Sequence, residues 1–455
     1  MKRMQFFLLL FSSYILALNL TSCAESEQKS ENAMLYQEYL VKEAELPVLP
    51  NWSEMNTGSN HGDKTPTQYE TWWEAKEAQL GIDIPNIEQI QSFVCKSTRE
   101  FVVDYKKANF LYSPVDLWFC LYTLSDLVEG NSKVQIQQVI GQQPEDNQDA
   151  QLDAVFRSLY WEDDDTVCIP AISLWMNRGT SMSKELIDQL SSSAHTSLFQ
   201  GDMGEESFDN AFQNWINDQT RGMLDSTVSD LKFSSEAGFS VCSTLYMKST
   251  WSLPFDKEET TSDVFYTEGG EVTTDFMHSR NGGIVFHKKG FAAFTLDFSC
   301  GGSVTFILPD PNVNLEDILN GDDVFNLLFS GKVWEDSQYG IVNFSVPKID
   351  TMTGMSMKSS VEKMGIVDIF DTQKAQFISE LSSDSSLVVS DFTQYTRLIL
   401  NEDGVESASI TITDEGGLII QPENEIDFIL NRPFLFAVMS EKNIPLFIGT
   451  YYTPE

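Results

Sequence analysis

The sequence predicts an α+β fold for this chain of 455 residues. Up to about residue 224, apolar residues recur at helical spacing, whereas from residue 241 onward short runs of β-branched and aromatic residues dominate. Helices that precede strands, instead of alternating with them, are typical of α+β proteins rather than of βαβ proteins. The chain has no internal repeat, which argues against a solenoid or a propeller.

The individual elements follow from these patterns. Helices are predicted over segments 87–105, 116–128 and 208–224, with a further helix after the turn at Gly130-Asn131. The second helix is strongly apolar, so we expect it to be buried. The predicted strands are 241–248, 283–287, 292–298, 303–308, 340–348, 397–400, 407–413, 434–439 and 446–452.

Acidic residues greatly outnumber basic ones. The chain has 68 Asp and Glu against 29 Lys and Arg, which gives a formal net charge of −39. A surface of this sign repels the phosphates of nucleic acids and of anionic lipids. We therefore expect no nucleic-acid partner and no attachment to a membrane through basic residues. With 42% hydrophobic residues, the chain can still bury a sizeable core.

The first residues have the organisation of a secretory signal. Lys2 and Arg3 precede an apolar run, 6–18, that is short for a membrane-spanning helix. The sequence Leu20-Thr21-Ser22-Cys23 follows and resembles the lipobox of bacterial lipoproteins, in which the cysteine receives a diacylglycerol. By this resemblance Cys23 is the lipid-attachment residue. The alternative is an ordinary cleaved secretory peptide in which Cys23 has no role.

The lipobox resemblance also predicts a location and a domain division. Ala24 follows the cysteine, so the aspartate typical of inner-membrane retention is lacking. We expect a protein of the Gram-negative cell envelope, lipid-anchored to the outer membrane on either leaflet, including the cell surface. Residues 1–22 form the predicted signal peptide, residues 23–84 a tether with an accessory segment, and residues 85–455 the main domain.

The sequence lacks motifs for catalysis, metal binding or redox chemistry. The histidines, His61, His195, His278 and His287, form no zinc-protease pattern, and neither a serine-hydrolase elbow nor a phosphate-binding loop occurs. The cysteines beyond Cys23 are scattered in apolar contexts, so we expect buried free thiols. The sequence therefore predicts no enzyme, no metal and no cofactor.

A series of short motifs runs through the main domain in a fixed order. They are Asn109-Phe110-Leu111-Tyr112-Ser113-Pro114, Glu129-Gly130-Asn131, Trp215-Ile216-Asn217, Tyr246-Met247-Lys248 with Trp251 and Pro254-Phe255, Phe306-Ile307-Leu308-Pro309, Val346-Pro347-Lys348, Asn431-Arg432-Pro433-Phe434 and Pro445-Leu446-Phe447-Ile448-Gly449. In this order and spacing they resemble the serpin family. The resemblance implies the serpin fold, with a large central β-sheet, additional sheets, a surrounding helical region and an exposed reactive-centre loop.

The function that this resemblance implies depends on one segment. Residues 402–411 are similar to the hinge that begins the reactive loop of inhibitory serpins. The residues assigned to the hinge are Glu402, Gly404, Val405, Glu406, Ser407, Ala408, Ser409 and Thr411. Among them, Val405, Ser407 and Ser409 depart from the usual threonine, alanine and alanine.

The hinge composition suits insertion into the middle of a sheet. Alternate residues of a strand share one face, and positions 405, 407, 409, 411 and 413 are Val, Ser, Ser, Thr and Thr. None is large or charged, so this face can be buried. The hydroxyls of Ser407 and Ser409 need partners there, at about 1–3 kcal/mol each if none is found. We therefore expect insertion, with a smaller gain than alanines would give.

By the family's spacing, the bait bond is Leu418–Ile419, within a range of 416–421. Leucine before the bond suits a serine-type protease with an apolar primary pocket, and a cysteine protease is a further candidate. The implied activity is that of a monomeric suicide substrate, through loop cleavage, acyl-enzyme formation and strand insertion. The alternative is a non-inhibitory serpin-fold surface lipoprotein with a binding or structural role.

The resemblance also assigns a polar cluster at which the central sheet opens. The matching positions are Ser113, Asp116, Ser243 and Gln394. Three of them differ from the residue types usual in the family, although all four are polar. Either the network is rebuilt with these residues, or the free energy of opening the sheet is changed.

Overall fold

The structure is a computed structural model that describes residues 35–49, 74–105, 107–142, 148–163, 166–299, 301–330, 337–379, 381, 388–389, 392–405 and 424–454. Its helices in these ranges are α1 (Ile87–Asp104), α2 (Pro114–Asp126), α3 (Gly130–Ile140), α4 (Gln148–Leu159), α5 (Lys184–Ser192), α6 (Glu206–Gln219), α7 (Asp225–Val228), α8 (Leu315–Leu319), α9 (Asp323–Ser330) and α10 (Lys358–Met364). The helices predicted in the first half are thus present as α1, α2, α3 and α6.

The strands form two sheets. They are β1 (Leu40–Lys42), β2 (Phe110–Tyr112), β3 (Trp161–Glu162), β4 (Thr166–Asn177), β5 (Thr196–Gly201), β6 (Phe239–Thr250), β7 (Thr261–Thr267), β8 (Gly270–Lys288), β9 (Phe291–Asp297), β10 (Ser303–Pro309), β11 (Ser337–Pro347), β12 (Ile349–Ser356), β13 (Thr393–Leu400), β14 (Gly404–Val405), β15 (Glu425–Ile429), β16 (Phe434–Met439) and β17 (Pro445–Tyr451). The mixture of helices and large sheets is an α+β fold, as predicted.

The first sheet has the strand order β1-β5-β4-β6-β14-β13-β12, with β3 paired to β4. β4 and β5 lie between helices in the chain, so the predicted separation of early helices from late strands is wrong over 166–201. The reason is that β4 is buried on both faces and is apolar at most positions, so it lacks the alternation of a half-buried strand. Such a segment cannot be distinguished from a buried helix by periodicity.

The second sheet has the strand order β15-β11-β8-β9-β10-β16-β17-β2, with β7 paired to β8. Its longest strand, β8, has 19 residues, whereas the sequence predicted a strand over 283–287 alone. The first part of β8 is largely exposed and polar, so it carries little of the apolar signal on which the prediction depended.

Helix α2 lies at the centre of the main hydrophobic core. Ser113 caps its N-terminus, because its hydroxyl accepts the N–H of Asp116 at 3.3 Å, and Pro114 occupies the first turn, where a missing N–H costs nothing. Trp118 and Phe119 are both 0% exposed. Burial on all sides confirms the expectation from the sequence and makes this helix a rigid support for the first sheet.

The accessory segment is built onto the main body at two places. β1 adds an antiparallel strand to the outer edge of β5. Further along, helical residues 74–80 present Lys76 to Asp163, with 2.8 Å between Nζ and Oδ2. Both side chains are at most 4% exposed, and the ammonium of Lys76 also lies over the ring of Trp161. A buried ion pair of this kind requires its partner, so it fixes the segment in one position.

Two further sequence expectations concern the described residues. Cys95, Cys120, Cys168 and Cys242 are free thiols that are buried or partly buried. Burial raises the pKa of Cys120 and of Cys168 to about 12, so both remain protonated at neutral pH. In the described ranges, no helix combines the length and the apolar character needed to cross a bilayer.

Candidate functional site

The first sheet has a cleft between its two central strands. One edge of β6 is paired with β4 over its whole length, whereas the other edge pairs, among the described residues, only with the two residues of β14. β13 is paired with β12 on one side and meets β14 through Leu400 on the other. β6 and β13 therefore run parallel to each other with a cleft below β14, which we call the slot.

The slot has a volume of about 250 Å³ and is enclosed from two sides. Helix α2 forms its floor, and α6 with the chain that follows it forms its cover. Its lining includes Leu117, Leu124, Phe212, Ile216, Val241 and Phe392. A strand lying in the slot would be flanked by β6 and β13 and buried on both faces, which is the situation of a central strand in a covered sheet.

β14 occupies the entrance of the slot. Gly404 pairs with Thr250, and Val405 pairs with Ser249 on one side and with Leu400 on the other. Gly404 has a φ of 152°, and a Cβ at this position would lie 2.1 Å from the carbonyl oxygen of Ser249. Only glycine therefore fits here. Val405 is 1% exposed and packs in the main core.

The chain just before β14 is held by Glu402, which is 5% exposed. Its carboxylate accepts a hydrogen bond from the hydroxyl of Thr260 at 2.8 Å and forms an ion pair with Lys348 at 2.7 Å. Burial by itself would raise the pKa of Glu402, but the donors around the carboxylate, with Lys348 foremost, outweigh burial and lower it. Glu402 is therefore ionised at neutral pH and holds the chain that leads into β14.

Trp251 forms a second anchor for the same turn. Its indole Nε1 donates to the carbonyl of Asn401 at 2.9 Å, and its backbone N–H donates to the carbonyl of Asp403 at 3.1 Å. The side chain of Asp403 pairs with Lys257 at 2.6 Å on the surface. The turn from β13 into β14 is consequently held by backbone, indole and charged contacts, which place β14 at the entrance of the slot.

The predicted polar cluster lies midway along the slot. Gln394 bridges to the start of α2, because its Oε1 accepts the N–H of Ser113 at 2.8 Å and its Nε2 donates to the carbonyl of Ser113 at 3.0 Å. On the opposite edge, the hydroxyl of Ser243 donates to the carbonyl of Asp116 at 3.0 Å. Both strands that flank the slot are thus tied to the same first turn of the helix beneath them.

The carboxyl group of Asp116 lines the slot beside this network. The residue is 6% exposed, and its Oδ1 has no hydrogen-bond partner among the described residues. Burial raises the pKa of Asp116 to about 7, against a smaller lowering by Ser243. The thiol of Cys120 donates to the hydroxyl of Ser243 at 3.4 Å, so sulfur extends the network along the slot.

Comparison with protein-family models gives a match to the serpin (serine protease inhibitor) family over residues 88–454. This range is most of the chain. The chain belongs to the serpin family. Its fold and its slot are accordingly those of a serpin, and the resemblance based on short motifs is confirmed.

Curated relatives agree with this assignment at low identity. Serpin-ZX of Arabidopsis thaliana is 25% identical over 293 residues, which are 62% of this serpin and 74% of that protein. Alpha-1-antiproteinase of Rattus norvegicus is 21% identical over 376 residues, which are 80% of this serpin and 88% of that protein. Such relatives support protease inhibition in general terms, and the family that they share with this chain is one of protease inhibitors, not of enzymes.

Solved structures show the same fold. The native state of the thermophilic serpin tengpin matches with a TM-score of 0.72 at 21% identity, over 82% of this serpin and 95% of that chain. Thyroxine-binding globulin in complex with thyroxine matches with a TM-score of 0.70 at 19% identity, over 81% and 99% of the two chains. At these identities the similarity establishes the serpin fold alone.

The structure brings several predicted site residues of this serpin together. Glu402, Gly404 and Val405 lie at the entrance of the slot, Asp116, Ser243 and Gln394 line it, and Ser113 is buried at the start of α2. The remaining predicted residues, namely Glu406, Ser407, Ala408, Ser409, Thr411, the bait bond Leu418–Ile419 and the lipid-attachment residue Cys23, lie outside the described residues. Their assigned roles stay predictions.

Some residues around the slot were not singled out by the sequence. Lys348 and Thr260 hold Glu402, yet they are far from it in the chain, so local pattern gives no sign of the contact. Lys348 belongs to the Val-Pro-Lys motif, which was the available signal. Cys120 and Cys242 both line the slot, and their apolar contexts predicted burial without indicating this position.

One alignment of side chains superficially resembles a catalytic triad. Ser345 Oγ lies 2.8 Å from His278 Nδ1, and His278 Nε2 lies 3.4 Å from Asp263 Oδ2. Ser345 lies within a paired ladder between β8 and β15, on an open sheet surface. Backbone N–H groups in such a ladder are already bonded, so they cannot stabilise an oxyanion. The alignment therefore lacks backbone donors for an oxyanion at Ser345.

Proposed function

We propose that this serpin inhibits a serine-type protease as a suicide substrate whose cleaved loop inserts into the slot. The observation that carries this proposal is the position of β14 at the entrance of the slot, already paired with both flanking strands. An inserting strand that continues from β14 does not have to form its first strand pairings, because each further residue extends the hydrogen-bonded ladder that β14 already makes with β6 and β13. Insertion then satisfies main-chain groups on both edges at once.

The register of β14 predicts where the rest of the strand would lie. Val405 opposes Ser249 and Leu400, and in an antiparallel ladder one step along one strand is one step back along the other. Six residues further on, Thr411 would oppose Ser243 on β6 and Gln394 on β13. It would share a face with Val405, which packs into the core. The hinge would therefore place a hydroxyl at the polar cluster.

In the proposed mechanism the protease performs the chemistry, and this chain needs no catalytic residue of its own. The serine of the protease attacks the carbonyl of Leu418, the Leu418–Ile419 bond breaks, and an acyl-enzyme forms. The cut loop then inserts as a central strand. Fourteen residues, 405–418, span roughly 46 Å at about 3.3 Å each, so the bound protease is carried along the whole sheet. Leucine at the bond favours a protease with an apolar primary pocket, of the serine type or of the cysteine type.

The test uses the full-length protein with elastase-, chymotrypsin- and subtilisin-like proteases. We expect a covalent complex that survives denaturant, together with a rise in the melting temperature of nicked over intact protein. Thr411→Arg should still be cleaved but should form no complex, because a charged side chain cannot be buried in the slot. The matched variant Thr411→Val keeps the size without the charge and should retain most of the complex.

A different outcome would favour the non-inhibitory alternative. Clean cleavage without a complex, with equal melting temperatures for nicked and intact protein, would mean that the slot does not accept the strand. The protein would then be a serpin-fold lipoprotein with a binding role. A complex that is formed equally well by Thr411→Arg would show that the register given above is wrong.

We also propose that the protein is a monomer anchored by a lipid at Cys23 to the outer membrane of a Gram-negative cell envelope. The support is the lipobox-like sequence that ends at this residue. Detergent phase partitioning of the wild-type protein and of Cys23→Ser tests the anchor. The wild type should enter the detergent phase and the variant should not, whereas aqueous partitioning of both would contradict the proposal.

A further inference from the structure

We propose that Asp116 couples strand insertion to the uptake of a proton, so that the slot accepts the cleaved strand with this carboxyl group in its neutral form. The inference rests on the insertion mechanism proposed above. It assigns to one residue of the slot floor an effect on how favourable strand insertion is, and it makes inhibition dependent on pH.

The first argument is the position of the carboxyl group. Asp116 lines the slot and is already 6% exposed before any strand of the hinge beyond β14 is considered. Its backbone is fixed at both ends, since its N–H donates to the hydroxyl of Ser113 and its carbonyl accepts from Ser243. The side chain is therefore held in the slot. A strand that fills the slot removes the remaining water from the carboxyl group, and burying a charge without a partner is costly.

The second argument is that the burial of the carboxyl group is only partly compensated, because the lowering of its pKa by Ser243 is smaller than the effect of burial. Oδ1 of Asp116 accepts no hydrogen bond from the part of the chain that the structure describes. The first turn of α2 offers a favourable dipole to an anion, but such an effect is small beside the burial of the group. The hydroxyl that Thr411 would bring by the register given above is a single neutral donor, and one such hydrogen bond is worth less than the cost of burying a charge. An ionised Asp116 would consequently oppose insertion, whereas a neutral one would not.

The third argument is the charge of the surroundings. The titratable and charged side chains that line a cavity together with Asp116 are Cys120 of α2, Cys242 and Tyr246 of β6, Tyr395 and Arg397 of β13, and Lys232 from the chain before β6. Cys168 of β4 also interacts electrostatically with Asp116. Burial raises the pKa of all three thiols, so they stay neutral. Arg397 is engaged by Asp350 through two hydrogen bonds of 2.9 Å. Lys232 is exposed at the rim.

The direction of the pH effect follows. With the slot open, the pKa of Asp116 is about 7 because of its burial. Filling the slot buries the carboxyl group further and raises this pKa again, so insertion takes up a proton as pH rises above 7. Below about pH 7 the group is already neutral and insertion is unhindered. Above it, insertion becomes less favourable by up to about tenfold per pH unit.

The experiment compares the wild type with Asp116→Asn at about pH 6 and about pH 8.5. One readout is the ratio of covalent complex to cleaved free inhibitor, taken relative between the two proteins at each pH so that the protease's own pH dependence cancels. The other is the difference in melting temperature between nicked and intact protein, measured after the protease has been removed. At high pH the ratio of complex to cleaved inhibitor should be about tenfold or more lower for the wild type than for Asp116→Asn. The rise in melting temperature that nicking gives the wild type should also be smaller at high pH.

The matched control is Asp126→Asn. Asp126 lies on the same helix, and burial raises its pKa to about 6, but it does not line the slot. This variant should keep the wild-type pH profile. Asp116→Ser serves as a second neutral variant and should behave like Asp116→Asn, which keeps the test valid if one of them folds poorly.

The outcomes separate this inference from the proposed function. If nicking raised the melting temperature equally at both pH values, in the wild type and in Asp116→Asn alike, the role of Asp116 would be wrong. The proposed strand insertion would then still stand. If nicking raised the melting temperature at neither pH, the proposed strand insertion would be wrong. If Asp126→Asn lost the pH dependence of the wild type, the proton would be taken up at Asp126 and the role assigned to Asp116 would be wrong.

Discussion

The side-chain amide of Gln394 on β13 bonds both backbone groups of Ser113 at the start of α2. Oε1 accepts the N–H at 2.8 Å, and Nε2 donates to the carbonyl at 3.0 Å. The two residues are 281 positions apart in the chain. This pair ties the outer strand of the slot to the helix in its floor, so it sets the position of β13 before any insertion occurs.

We predict that Gln394→Met destabilises the protein by about 1–3 kcal/mol, because it leaves the N–H and carbonyl of Ser113 without these partners in a buried turn. Methionine keeps the length of the side chain, so lost packing contributes little. Denaturant unfolding followed by fluorescence measures the change. Gln338→Met on the exposed surface of β11 is the control, and it should shift stability by less than about 0.5 kcal/mol.

We predict that Gly404→Ala expels β14 from the entrance of the slot. The added Cβ would lie 2.1 Å from the carbonyl oxygen of Ser249, and the φ of 152° disfavours a side chain. The expected result is faster proteolysis at the hinge and a lower melting temperature. Gly179→Ala, where a Cβ meets nothing within 4 Å, should leave both unchanged. Equal proteolysis of the two variants would contradict the assigned position of β14.

The hinge anchor Glu402 should contribute stability that depends on pH. Its pKa is lowered in the folded state, so its contribution is present above the ordinary glutamate pKa and is lost as pH falls through the lowered value. Glu402→Gln should therefore lower the free energy of unfolding by about 1–3 kcal/mol at neutral pH. The difference from the wild type should vanish in acid.

Thermal melts of both proteins between neutral and acidic pH check this prediction. Glu425→Gln is the matched control, because Glu425 pairs with Arg280 on the surface and both side chains are 57% exposed. It should change the melting temperature little at any pH. A Glu402→Gln variant whose deficit persists unchanged in acid would show that the carboxylate charge is not what holds the hinge.

The accessory segment should be anchored chiefly by Lys76. Removal of the ammonium leaves the carboxylate of Asp163 buried without its ion-pair partner, so Lys76→Met should cost about 3–5 kcal/mol. Hydrogen exchange of residues 74–80 should rise with it. Lys374→Met removes an ion pair whose lysine is 62% exposed and should be nearly neutral. Unchanged exchange in Lys76→Met would mean that β1 alone holds the segment.

Sequence patterns predicted the helices, turns and strand ends of this protein whose conformation is set by residues close together in the chain. Apolar spacing and a Ser-Pro start identified α2, and the short motifs identified the family because each describes a local turn or strand end. Small uncharged residues at alternate positions after Gly404 marked the hinge. The strand β4 was missed because burial on both faces removes the alternation that distinguishes a strand.

Only the tertiary structure decided how these parts meet. The pairing of β14 with β6 joins residues about 150 positions apart, and the contact of Gln394 with Ser113 joins residues 281 positions apart. Lys348 and Glu402 are also separated by several secondary-structure elements in the chain. Side-chain period and composition carry information over a few residues, whereas the position of a central strand is set by packing across the whole core. The amino-acid sequence by itself therefore determined the local elements and the family, and only the three-dimensional arrangement decided that β14 lies between β6 and β13 and that the carboxyl group of Asp116 lines the slot.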